Sequence, residues 1–85
     1  MGPGVNAPEH FRWARDRAME YVEMGDGALA MSSLVSDLNK HEGTAHIMAD
    51  LSTLMIGEYL IDGVRGVKRF IEGLPEPAAS EESAR

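Results

Sequence analysis

The sequence predicts an all-α fold, a compact bundle of about four short helices with a disordered acidic C-terminal tail. Apolar residues recur every three or four positions, no stretch alternates with period two, and single glycines stand where each apolar stripe runs out. The expected helices span 7–24, 27–41, 45–57 and 62–72.

Each helix carries its own punctuation. Asn6, with Glu9 three residues later, makes an N-cap and capping box, and Pro8 is tolerated in a first turn. Phe11, Ala14, Ala18, Tyr21 and Val22 then fall on one face, and Gly25 is a natural terminator. Asp26 can cap the second helix, whose core face is Ala30, Met31, Leu34, Val35 and Leu38, opposite Ser32, Ser33, Ser36 and Asn39. Gly43 is expected to stop that helix and Thr44 to cap a third. The third carries Ile47, Met48, Leu51, Leu54 and Met55 inward and ends at Gly57, or continues to Ile61. Asp62 is the expected cap of the fourth, with Val64, Val67, Phe70 and Ile71 facing in and Arg65, Lys68, Arg69 and Glu72 out. Gly66 inside it costs about 1 kcal/mol relative to Ala, which predicts a close helix contact or a helix that begins later.

An 85-residue chain makes one domain, near the lower limit for a self-sufficient core. Residues 1–5 read as disordered or an expression remnant, 6–73 as the domain and 74–85 as a flexible tail. Only 6% of residues are aromatic, so the core rests on Leu, Ile, Val, Met and Ala. The absence of cysteine removes disulfides and thiol chemistry. The start MGPGVNAPEH lacks the basic and apolar regions of a signal peptide. The longest apolar-rich stretch, IMADLSTLMIGEYLI, is interrupted by Asp50, Gly57 and Glu58 and is too short to span a bilayer. A cytoplasmic protein that avoids membranes is expected. A net charge of -6 also disfavours non-specific nucleic-acid binding, which relies on neutralising phosphates.

In AMEYVEMGDGALAMSSLVSDL a tyrosine precedes a Gly-Asp turn and a small alanine follows it. This resembles a single tetratricopeptide-like helical hairpin, of which the chain holds one copy where an array needs three or more. Three motifs, AMEYVEMGD, the SDL-x-KH step from Ser36 to His41, and RFIEG from Arg69 to Gly73, resemble a family of small helical proteins of actinobacteria and their phages. The resemblance implies a bacterial or phage-infected cytoplasm and assigns no site residue.

HEGTAH, from His41 to His46, comes close to the zinc-protease pattern H-E-x-x-H. Its histidines stand at i and i+5, about 140° apart on an ideal helix. With Gly43 and Thr44 read as stop and start, they fall on different helices, and a third ligand would have to be His10, Asp50 or a distant acid. The residues therefore read as punctuation. His41 would lie in the last turn of the second helix, where an imidazolium meets the negative end of the dipole, and His46 in an exposed first turn. No metal or other cofactor is expected. Ser32, Ser33 and Ser36 have no histidine at helical spacing to act as base, and Glu20 and Glu23 read as a solvated face.

What remains is a non-enzymatic interaction module, expected to be a homodimer that binds another protein. Trp13 stands opposite the Phe11–Val22 stripe with Arg17 and Met24, and Trp and Arg are enriched at interface hot spots. Trp13, Arg17, Met24, Ile47, Met48 and Met55 are the expected interface residues. The alternative is a helix-turn-helix DNA-binding regulator that reads DNA or an acidic partner with Arg65, Lys68 and Arg69.

Overall fold

Three helices follow one another in the computed structural model, which describes residues 6–77. They are α1 (Ala7–Glu23), α2 (Gly27–Leu38) and α3 (Glu42–Glu72). The third is two helical limbs, 42–62 and 64–72, joined at the non-helical Gly63, so the all-α bundle has four rods.

The start of α1 follows local chemistry. The Asn6 side chain accepts the Glu9 N–H at 2.9 Å. At the other end Gly25 takes φ 83°, a left-handed conformation that glycine adopts without penalty. Gly25 N–H then reaches Val22 O at 2.9 Å and Asp26 N–H reaches Tyr21 O at 3.0 Å, which closes off orphan carbonyls of α1. Asp26 immediately caps α2 by accepting the Leu29 N–H at 3.0 Å. The tight turn returns α2 antiparallel to α1, so that Asp37 near the end of α2 comes beside His10 and Arg17 of α1.

The start of α3 differs from the expected one. The N-cap is His41, whose Nδ1 accepts the Gly43 N–H at 2.8 Å. His41 therefore opens α3 and does not lie in the last turn of α2, which ends at Leu38. Gly43 and Thr44 lie inside the first turn of α3, so His41 and His46 both belong to that helix rather than to two different ones. Thr44 is buried, and its hydroxyl donates to Leu38 O at 2.7 Å, satisfying a carbonyl left over at the end of α2. Gly43 is needed for space, since a Cβ there would come within 2.7 Å of the Ala7 Cβ.

The end of the third rod also moves. The helix runs through Gly57 and breaks at Gly63, where φ 62° and ψ −143° define a conformation available essentially only to glycine. The limb after the break folds back tightly. A Cβ on Gly66 would meet the Glu58 carbonyl oxygen at 2.2 Å, which is the close contact that a mid-helix glycine predicted. Arg69 fastens the bend by donating to Asp62 at 2.9 Å and to Glu58 at 3.0 Å.

The core brings together Phe11, Ala14, Ala18 and Val22 of α1, Ala30, Leu34 and Leu38 of α2, and Ile47, Met48, Met55, Val67 and Ile71 of α3. Leu74 joins them, and Glu76 pairs with Arg12. The chain is therefore packed to the end of the described region, not loose from residue 74 on. Residues 1–5 and 78–85, including most of the expected tail, lie outside the described residues. Among the described residues no helix is long and apolar enough to cross a membrane.

Candidate functional site

Two features stand out against the packed helices, a polar clasp at one pole and an apolar face on α3.

The clasp is built around Asp37, which is 2% exposed. Its carboxylate accepts from Arg17 Nε at 2.8 Å, from Lys40 Nζ at 3.3 Å and from the Ser33 hydroxyl at 3.4 Å. The carboxylate raises the pKa of the Arg17 guanidinium, first by hydrogen bonding and then by charge. The Arg17 guanidinium also lies 5.1 Å from the centre of the Trp13 ring. The buried His10 Nε2 donates to the Asp37 carbonyl at 2.5 Å, and its ring stacks on His41 and lies tilted against Trp13. The clasp thus joins early α1, late α2 and the cap of α3. Every buried side-chain nitrogen and oxygen among the described residues has a hydrogen-bond partner. Asp37 and His10 are held in structural bonds, and such an arrangement positions helices.

HEGTAH falls partly within this clasp. His41 turns onto His10, while His46 is exposed on α3. Among the described residues no group of three His, Asp or Glu side chains is placed to share a metal ion.

The expected interface residues separate into three groups. Ile47 and Met48 are buried in the core, and so is Met55, which meets the surface only as a wall of the groove between α2 and α3. Met48 and Met55 occupy the arc of α3 that α1 and α2 cover, whereas Ile47 shares a stripe with Leu54 and is buried by its place near the start of the helix. Trp13 is half-buried against the core, and Arg17 is committed to Asp37. Met24 is 67% exposed, at the C-cap of α1.

The outer arc of α3 holds what the sequence reading placed elsewhere. Leu54, Ile56, Leu60 and Ile61 are 61%, 49%, 77% and 84% exposed. Leu54, expected to point inward, points out. Over residues 53–61 the exposed positions are all uncharged, and the one charged residue, Glu58, is paired with Arg69. Beside this arc an apolar groove of about 470 Å³ runs between α2 and α3, with Met31, Val35, Ser52, Met55 and Ile56 among its walls. The signal in the sequence was an apolar count on 45–61 too high for one buried stripe.

Arg65, Lys68 and Arg69 are exposed on the final limb, as expected. Arg69 is taken up by Glu58 and Asp62, and its hydrogen bond holds the Asp62 carboxyl below the usual carboxylate range. That face consequently offers Arg65 and Lys68, a small charge for holding a phosphate backbone.

No protein-family model, curated protein or solved structure matches this chain.

Proposed function

We propose that the chain is a small helical protein–protein interaction module, not an enzyme, which works through the outer face of α3. The observation that carries this reading is the exposure of Leu54, Ile56, Leu60 and Ile61 within eight residues. Scattered exposed hydrophobes need no explanation, but Leu54, Leu60 and Ile61 share an arc of about 120°, with Ile56 at its edge beside the α2 groove, and a contiguous set of this kind marks an interaction site. Fully burying a Leu or Ile is worth roughly 1.5–3 kcal/mol, so covering the part of these four that is still exposed gains on the order of 4–8 kcal/mol. Association costs about 4–15 kcal/mol before any gain appears. One such face therefore suits a reversible contact, and two meeting faces suit a homodimer.

The partner is expected to be a cytoplasmic protein, in the actinobacterial or phage setting that the sequence motifs suggest. Reading DNA through Arg65, Lys68 and Arg69 is the weaker alternative, because Arg69 is already ion-paired. The test is a Leu60→Ser/Ile61→Ser double variant, compared with the native chain by sedimentation equilibrium and by capture from cell lysate. Loss of association at unchanged helicity is the expected result. A native chain that neither self-associates nor retains any protein would sink the reading.

A further inference from the structure

We infer that the outer face of α3 pairs antiparallel with the same face of a second copy, about a two-fold axis passing at Gly57. This rests on the interaction reading above and names its partner.

Gly57 is the first reason. It sits inside a helix with no positive φ, and a Cβ built on it meets nothing within 4 Å. Neither backbone conformation nor packing within the chain calls for glycine there, although a mid-helix glycine weakens the helix. This sets it apart from Gly27, Gly43 and Gly66, each of which is pressed against a neighbour. A close approach from outside the chain accounts for it.

The surrounding residues are self-complementary about that point. At 3.6 residues per turn, Leu54 and Ile61 lie to one side of Gly57, and Thr53 and Leu60 to the other. A two-fold perpendicular to the helix reverses direction and keeps the side. Leu54 of each copy then meets Ile61 of the other, and Leu60 lies over the small Thr53. The isologous contact covers both faces and asks for no other apolar partner. It also places the positive end of each helix dipole beside the negative end of the other, whereas a parallel pair would bring like ends together.

Charge favours a second copy as the occupant. The chain carries -6 overall, so two copies repel unless they meet where charge is absent. The exposed positions in 53–61 are uncharged. At the edge, one Arg69 is shared by Glu58 and Asp62, which leaves a single net negative charge there. The face itself therefore offers no charge to a basic or an acidic partner.

The test uses the full chain in sedimentation equilibrium from micromolar to submillimolar concentration, with the expectation of a monomer–dimer equilibrium. Gly57→Leu should weaken the dimer about tenfold or more, because the added side chain separates the helices. It should leave helicity and monomer melting undiminished. The chain has no cysteine, so single replacements report cleanly. On oxidation, Leu54→Cys mixed with Ile61→Cys should give a disulfide-linked pair, and neither should link to itself. A dimer indifferent to Gly57→Leu, or one that links Leu54→Cys to itself, overturns the antiparallel arrangement and leaves the interaction reading standing. A native chain that stays monomeric yet captures a protein through Leu60 and Ile61 overturns self-pairing alone.

Discussion

His10 stacks on His41 with ring centroids 5.2 Å apart and planes inclined at 30°. His10 donates to the Asp37 carbonyl, and His41 accepts from the Gly43 N–H. One stacked pair therefore links α1, the end of α2 and the beginning of α3. His41→Ala removes both the cap and the stack, and should cost about 1–2 kcal/mol in urea denaturation. His41→Asn supplies a good capping oxygen and should recover most of the loss. An equal cost for the two variants would show that the stack, and not the cap, holds this corner.

Gly57 and Gly66 are both mid-helix glycines, and their replacement by alanine should have opposite signs. At Gly57 the space is open, so Gly57→Ala should raise stability by up to about 1 kcal/mol in a dilute thermal melt. At Gly66 the methyl would collide with the Glu58 carbonyl, an atom that moves only with the backbone. Gly66→Ala should lower stability by about 2 kcal/mol or more.

Leu74 is buried in the core although it follows the last helix. Leu74→Ala should cost about 2–4 kcal/mol. Truncation after Gly73 should destabilise at least as much. Calorimetry of the truncated chain beside the full one is the direct comparison.

The bend at Gly63 should loosen in acid. The Arg69 hydrogen bond lowers the Asp62 pKa, so the native state binds that proton less readily than the unfolded one. Its contribution is fully present above the ordinary value of 3.8 and is lost as pH falls from there through the native value. Asp62→Asn should weaken the bend at neutral pH and flatten the acid limb of the stability curve. Denaturant midpoints at pH 7 and below pH 4 would read both effects.

Local rules reached far into this fold because many of its boundaries are set by local chemistry. Asn6, Gly25 and Asp26 act through hydrogen bonds within five residues, and their roles were legible from spacing. Gly57 and Gly63 are indistinguishable by such rules. What separates them is the tertiary demand that 64–72 fold back on α1 and α3, a demand that only Gly63 meets with its positive φ. The same holds for Thr44, a good N-cap by type. Its hydroxyl reaches Leu38 O instead, six residues back and across a turn, and His41 takes the cap. The clasp was glimpsed only through Trp13 and Arg17. Its centre, Asp37, looks like any helix-surface acid until α1 is laid beside it.

The face on α3 shows a different limit. Helical periodicity identifies an apolar arc well when only one arc is apolar. On 45–61 apolar residues occupy most of the circumference, so Met55 and Leu54, adjacent in sequence, could each have been the buried one. The choice belongs to α1 and α2, which cover Met55 and leave Leu54 in water.

The Arg12–Glu76 pair settles how the molecule is oriented when it is tethered. Glu76 comes back to Arg12, within two turns of where α1 begins, so both ends of the described chain emerge at one pole. The turn at Gly25 and the bend at Gly63 form the other pole, where Gly27 packs against Tyr59 and Val64. A fusion at either end would therefore hold the protein by the same pole. A short linker from Pro77 to Asn6, with the chain reopened at Gly25, should give a circular permutant with the same core.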